Sequence, residues 1–175
     1  QLSNTKKTAY TEEIYLNIIR KKTALLFSAC AKSGALATSA SQEETEALAS
    51  FGEYLGICFQ IQDDIFDYSE NLNIGKPVGN DIREGKVTLP LILALKNADK
   101  KEADSIAKII DDKDFTTENI DKIILFTRQN KGIDLAQIYM KKYKEKAINS
   151  LACFPDSELK SALLLTLDYT TNRSK

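Results

Sequence analysis

Histidine and tryptophan are absent from this sequence of 175 residues, and cysteine occurs only three times. Because histidine is absent, imidazole-based acid–base catalysis and most zinc sites are excluded. The cysteines are Cys30, Cys58 and Cys153, and each lies far from the others in an apolar segment. An odd number without a pairing pattern predicts free, buried thiols rather than a disulfide framework, and therefore a reducing compartment, the cytoplasm.

Long apolar runs and an excess of either charge are also missing. The chain has 24 basic and 25 acidic residues and a net charge of -1. This balance gives no electrostatic reason to expect nucleic acid as the main partner. No apolar run reaches the length of a membrane-spanning helix, so we expect no transmembrane segment. The length is sufficient for one domain with a sizeable core, and we expect residues 1–175 to form a single domain.

Helical periodicity is present in almost every long segment, whereas strand alternation persists in none, so the sequence predicts an all-α fold. Thr11 followed by two glutamates is typical of a helix start, and Ser41 begins a capping box. Gly34 is expected to end the first long helix. The predicted helices are 11–33, 41–68, one beginning near 88, 100–110, 117–130, 133–153 and 157–170, with a loop over 70–86.

Three aspartates, Asp63, Asp64 and Asp67, occur in an otherwise apolar part of the second predicted helix, and Gln60 lies one turn earlier. Aspartate inside a helix costs up to about 0.7 kcal/mol relative to alanine, and close carboxylates repel by roughly 1 kcal/mol even in water. A cation among the acids would offset this cost, and oxygen ligands suit Mg²⁺. The sequence therefore predicts a magnesium site here.

Two glycines, Gly52 and Gly56, fall on the same helical stripe as the acids. They have two interpretations. Bare backbone could form the wall of a cavity for a long ligand, or it could permit close packing of another helix. The sequence leaves both open.

Basic residues follow the acids in a glycine-containing segment that carries Lys76 and Lys86. Flexible backbone with lysines suits a phosphate group, although an ordinary surface loop would have a similar composition. In the first predicted helix, Lys22 and Thr23 adjoin an apolar run and are expected to point inward.

Together these segments resemble the trans-isoprenyl (polyprenyl) diphosphate synthases. The resemblance rests on residues 59–67 (FQIQDDIFD), 75–77 (GKP), Asp81, 85–90 (GKVTLP), the Lys22-Thr23-Ala24 motif and the basic ending 172–175. The sequences of the two Gly-Lys segments resemble those of medium- and long-chain members, such as the octaprenyl diphosphate synthases, more than that of farnesyl diphosphate synthase.

The resemblance implies a helical bundle of the isoprenoid synthase type, a homodimer and a Mg²⁺-dependent prenyltransferase. Such an enzyme adds isopentenyl diphosphate to an allylic prenyl diphosphate and releases pyrophosphate. By this resemblance, metal is bound by Asp63, Asp64 and Asp67. The diphosphate is bound by Lys22, Lys76 and Lys86. The reacting end is lined by Thr23 and Gln60, and Asp81 supports the residues that bind metal and diphosphate. Lys22, Thr23, Gln60 and Asp63 are the implied catalytic residues.

The family's first aspartate-rich motif, and most of its isopentenyl diphosphate site, lie upstream of the part that this chain resembles. The sequence begins at Gln1 without a methionine. We therefore expect the C-terminal part of a longer enzyme, inactive by itself. Two alternatives are a non-catalytic subunit that binds a prenyl diphosphate, which has no need of mutually repelling acids, and a terpene cyclase, which the lysine-bearing segment disfavours.

Overall fold

The computed structural model describes residues 10–69 and 78–173, and every regular element in these residues is helical. The all-α prediction is confirmed. The elements are α1 (Glu12–Ile19), a π-helical turn (Arg20–Ala24), α2 (Leu25–Ala37), α3 (Gln42–Phe66), α4 (Asn80–Arg83), α5 (Leu89–Asn97), α6 (Lys100–Asp112), α7 (Thr117–Gln129), α8 (Gly132–Ser150) and α9 (Glu158–Asn172).

The N-terminal ends of α3 and α5 have the helix-start features that the sequence predicts. The amide of Glu44 donates to the hydroxyl of Ser41 at 3.2 Å, and the Glu44 carboxylate accepts from the Ser41 amide at 2.8 Å. The hydrogen bonds that the Glu44 carboxylate accepts from the amide and the hydroxyl of Ser41 lower the pKa of Glu44. At the start of α5, Thr88 is extended and Pro90 lies in the first turn, where its missing N–H leaves no hydrogen bond unmade.

Two predicted boundaries are wrong. Gly34 does not end the first long helix, because α2 continues to Ala37 and the chain turns at Ser39, whose φ is 56°. A side chain built on Gly34 would meet no atom within 4 Å, so this glycine is simply an exposed helical residue. The segment predicted as one loop also contains the short helix α4. Residues 70–77 of that segment lie outside the described residues.

The described residues form two compact units. The first contains residues 10–15 and 63–137, apart from 70–77, and its core is apolar. Its most buried members include Tyr68, Ile82, Leu91, Ile106, Ile120 and Ile123. The second contains residues 16–62 and 138–173, and its buried side chains include Cys58, Ile61, Ala147, Leu151 and Leu167. Organisation as a single domain stays a prediction.

The cysteines are all free, as predicted, but only Cys58 is buried. Burial raises its pKa to about 12, so it is an inert core thiol. Cys30 and Cys153 are exposed, and the prediction of burial is wrong for them. Their segments are apolar, but apolar composition does not determine which side of a helix a residue faces.

Within the described ranges, none of the helices combines the length and the apolar character that crossing a membrane requires.

Candidate functional site

The aspartates predicted to bind metal lie at the end of α3, and each has a different environment. Asp63 is partly buried, whereas Asp64 is only 3% exposed. The hydroxyl of Tyr15, on α1, donates to Oδ2 of Asp64 at 2.7 Å. Burial and the neighbouring Asp64 carboxylate raise the pKa of Tyr15 well above its ordinary value, so the tyrosine remains a neutral donor.

Asp67 follows α3 directly, and both of its carboxylate oxygens accept backbone hydrogen bonds. Oδ1 accepts from the amide of Asn80 at 2.9 Å, and Oδ2 accepts from the amide of Asp81 at 3.0 Å. Burial raises the pKa of Asp67, although these amide hydrogen bonds act in the opposite direction. Asp67 therefore caps α4 from outside that helix and ties the segment that follows to the end of α3.

Lys86, predicted to bind diphosphate, is paired with two carboxylates. Its Nζ lies 2.6 Å from Glu84 Oε2 and 2.9 Å from Asp81 Oδ1. The hydrogen bonds to Glu84 and Asp81 raise the pKa of Lys86, which is consequently a stable cation at neutral pH. Asp81, predicted to act in support, does contact the lysine, whereas the sequence analysis missed Glu84.

The chemistry of these donors fits Mg²⁺ together with a phosphate. Among residues 10–69 and 78–173, no three acidic or other ligating side chains are grouped closely enough to enclose a metal ion. Mg²⁺ in proteins is usually held by one or two carboxylates, waters and substrate phosphates rather than by a complete protein cage. The partly exposed Asp63 and its neighbour Asp64 could supply that share of the ligands.

The other predicted site residues belong to the second unit. The hydroxyl of Thr23 donates to Oε1 of Gln60 at 3.0 Å, so two residues expected to line the reacting end are in contact. Both Thr23 and Lys22 are on the π-helical turn, but Thr23 is partly buried whereas Lys22 is exposed, so the expectation that Lys22 points inward is wrong. π-helical turns are rare and are frequently found at functional sites. Arg20 anchors the start of this turn to α3 through two hydrogen bonds to Glu53, at 2.6 and 3.2 Å.

The glycine stripe on α3 permits this turn and the start of α2 to approach closely. A Cβ on Gly56 would lie 2.7 Å from Cα of Ala24, and a Cβ on Gly52 would lie 2.6 Å from the carbonyl oxygen of Phe27. Neither position has room for a side chain. Of the two interpretations of these glycines, the structure supports close helix packing and not the wall of a ligand cavity.

Two further features concern the predicted site. Lys76 lies in the segment 70–77, outside the described residues. Near the other end of the chain, the guanidinium of Arg173 lies 4.4 Å from the centre of the Phe59 ring, and its backbone carbonyl accepts from the Gln62 side chain at 3.1 Å. The basic C-terminal residue noted in the sequence therefore contacts α3.

The contact between Tyr15 and Asp64 was not predicted from the sequence at all. Tyr15 is separated from Asp64 by 49 residues, and both side chains are buried. Its position in an amphipathic helix indicates only an ordinary core tyrosine. Nothing in the local sequence indicates that its hydroxyl reaches an aspartate.

Comparison with known proteins gives a consistent result. A family model described as "Polyprenyl synthetase" matches residues 1–126. Octaprenyl diphosphate synthase of Haemophilus influenzae is 34% identical over 175 residues, which cover 99% of this chain and 53% of that protein. Heptaprenyl diphosphate synthase component 2 of Bacillus subtilis is 36% identical, with 91% of this chain and 45% of that protein covered.

Solved structures agree. Geranylgeranyl pyrophosphate synthase of Bacteroides thetaiotaomicron has a TM-score of 0.87 and 45% identity, covering 99% of this chain and 57% of that one. A polyprenyl synthase of Caulobacter crescentus, complexed with calcium and isoprenyl diphosphate, has a TM-score of 0.89 and 32% identity, covering 100% of this chain and 54% of that one. The chain thus spans about half the length of these relatives. The extent of the family match and the similarity of fold show that this chain belongs to the polyprenyl synthetase family.

Proposed function

We propose that this chain contributes one metal- and diphosphate-binding part of a trans-prenyltransferase. The whole enzyme adds isopentenyl diphosphate to an allylic prenyl diphosphate and releases pyrophosphate. The observation that carries the proposal is the acidic end of α3, tied by Asp67 to the segment that bears Lys86, in a chain of the polyprenyl synthetase family.

The chemistry required is the departure of pyrophosphate from an allylic carbon. Asp63, with Asp64 and Asp67, would hold magnesium, and Lys22, Lys76 and Lys86 would bind the diphosphate oxygens. Magnesium, when bound, supplies the positive charge that stabilises the departing pyrophosphate. Thr23 and Gln60, whose side chains are hydrogen-bonded to each other, would line the reacting end and stabilise positive charge on the allyl group. Asp81 would support Lys86, which it contacts. No histidine is required for these steps.

The remaining properties follow the family resemblance. We propose Mg²⁺ as the metal because carboxylates and phosphates are the ligands that it prefers. Calcium and isoprenyl diphosphate are named in the complex of the Caulobacter crescentus relative, which supports a divalent cation together with a diphosphate substrate. We also propose that the whole enzyme is a cytoplasmic homodimer.

The first test uses the complete gene product with labelled isopentenyl diphosphate and farnesyl diphosphate. We expect chain growth that depends on Mg²⁺. Asp63→Ala should lower turnover at least about 100-fold, since it removes a ligand that acts on developing charge. Its matched control is Asp112→Ala, at the exposed end of α6, which should leave turnover unchanged. Circular dichroism would show that both variants are folded.

Other outcomes contradict the proposal. Release of pyrophosphate from farnesyl diphosphate without chain growth would indicate a cyclase. Tight binding of farnesyl diphosphate without any reaction would indicate a non-catalytic subunit. Near-normal activity of the Asp63 variant would remove that residue from the metal site.

A further inference from the structure

Tyr15 and Asp64 form a buried pair within the first unit. Tyr15 is 5% exposed and Asp64 is 3% exposed, and the hydroxyl donates to Oδ2 at 2.7 Å. A hydrogen bond of this length to a carboxylate is in the charge-assisted range and is roughly twice as strong as a neutral one. It therefore fixes the orientation of the Asp64 carboxylate on α3.

The type of donor matters because lysine or arginine at the same position would also neutralise the carboxylate. A tyrosine hydroxyl supplies one proton for a hydrogen bond and no positive charge. Tyr15 thus fixes the orientation of the Asp64 carboxylate without adding a positive charge of its own. Carboxylates that bind metals in proteins are themselves held by hydrogen bonds from supporting groups.

The same unit contains a second buried tyrosine that serves as a comparison. The hydroxyl of Tyr68 shares a hydrogen bond with the hydroxyl of Thr88 at 3.1 Å, and both residues are buried. That pair has no carboxylate, so a structural role is sufficient to explain it. The two tyrosines therefore differ in their partners: the hydroxyl of Tyr15 contacts a carboxylate, and that of Tyr68 contacts another hydroxyl.

We propose that Tyr15 is a positioning residue, which holds the Asp64 carboxylate in the orientation that receives the metal–diphosphate complex. This inference rests on the proposed function, because it assumes that the metal site belongs to a prenyltransferase. It adds a residue from α1 that none of the sequence motifs contains. Tyr15 acts through Asp64 and does not itself touch the substrate.

The test compares Tyr15→Phe with Tyr68→Phe in the complete gene product. Each change removes one buried hydroxyl and retains the ring, so we expect similar and modest losses of thermal stability. Mn²⁺ binding in the presence of inorganic pyrophosphate is measured from the electron paramagnetic resonance signal of free Mn²⁺. Tyr15→Phe should weaken Mn²⁺ binding about 10- to 100-fold, as the loss of a supporting hydrogen bond does in other metal sites. Tyr68→Phe should leave it unchanged.

A second measurement gives the Mg²⁺ dependence of turnover. Tyr15→Phe should raise the Mg²⁺ concentration for half-maximal turnover, while turnover at saturating Mg²⁺ stays near that of the unmodified enzyme. If Tyr15 acts through Asp64, the effect of Tyr15→Phe on Mn²⁺ binding must also depend on the Asp64 carboxylate. In an Asp64→Asn background, Tyr15→Phe should weaken Mn²⁺ binding no further.

Several results would overturn the inference. These are unchanged Mn²⁺ affinity in Tyr15→Phe, equal weakening by the two tyrosine variants, or fully additive effects of Tyr15→Phe and Asp64→Asn. Failure of the proposed function can be distinguished from failure of this inference. If the protein binds Mn²⁺ and pyrophosphate but does not extend a prenyl chain, the proposed function fails, while the Mn²⁺ measurements still test the role of Tyr15. An unmodified enzyme that does not bind Mn²⁺ would overturn both proposals.

Discussion

At the scale of single residues, Lys86 shows how neighbouring charges set the strength of a binding group. In this structure its ammonium is shared between Asp81 and Glu84, so a diphosphate bound by this lysine, as we propose, would compete with two carboxylates. Glu84 is itself more than half exposed, at 53%, which makes its pairing with the lysine weak. Release of the lysine from Glu84 therefore carries a small cost.

We predict that Glu84→Gln tightens pyrophosphate binding and that Lys86→Ala weakens it. Exposed ion pairs are worth about 0.2–1 kcal/mol, so removing the competing charge of Glu84 should lower the dissociation constant by roughly 1.5- to 5-fold. Isothermal titration calorimetry of the complete gene product with pyrophosphate and Mg²⁺ measures both effects.

A matched control is Glu145→Gln, at an exposed position of α8. It removes the same charge elsewhere and should leave the dissociation constant unchanged. If Glu84→Gln weakened binding, Glu84 would serve to orient Lys86 rather than to compete with the diphosphate. If Lys86→Ala had no effect, the lysine would be structural.

How far the site could be predicted also depends on individual residues. Asp63, Asp64 and Asp67 were predicted to bind metal because three acids in an apolar helix are unfavourable without a partner. Their separate contacts were not predictable, since Tyr15 and the amides of α4 approach them only through the fold. Residue type therefore suggested a metal-binding role, which stays a prediction, whereas the tertiary contacts distinguish the individual aspartates.

At the scale of the helices, the packing of α3 depends on its glycines. Gly56 contacts the π-helical turn at Ala24, and Gly34 on α2 faces open space. Alanine normally favours a helix over glycine by about 0.5–1 kcal/mol. The same substitution should consequently have opposite effects at these two positions.

We predict that Gly56→Ala lowers the free energy of unfolding by about 1–3 kcal/mol, because the added methyl group meets backbone that cannot move without displacing the turn. Gly34→Ala should raise it by about 0.5–1 kcal/mol. Urea unfolding followed by circular dichroism measures both changes. Equal stabilisation by the two substitutions would show that the turn and α3 separate without cost.

Local signals predicted the helices well, and tertiary effects account for the exceptions. The capping box at Ser41 and the proline in the first turn of α5 act over three or four residues, so the sequence alone identifies them. The helix α4 was missed because its cap, Asp67, comes from a distant segment. The π-helical turn was missed because its packing partners on α3 are not local either.

At the scale of the whole chain, α2 leaves several large apolar side chains uncovered. Leu25, Leu26 and Leu36 are 41%, 67% and 60% exposed. Where exposed apolar side chains adjoin one another, the surface that they form normally marks contact with other protein. The sequence predicted α2 as apolar but not which residues would remain exposed, since periodicity defines a face only after its neighbours are known.

We predict that the chain of 175 residues, expressed by itself, associates reversibly through α2. Replacing Leu26 and Leu36 together by glutamine should raise the dissociation constant for self-association at least about tenfold, because roughly 1.5–3 kcal/mol is lost for each large apolar side chain that is no longer buried. Sedimentation velocity over a range of concentrations measures this. The control is Leu159→Gln on α9, a side chain that is 80% exposed. If that change reduced association more than the changes on α2, the contact surface would lie on α9, and the exposed leucines of α2 would have no part in it.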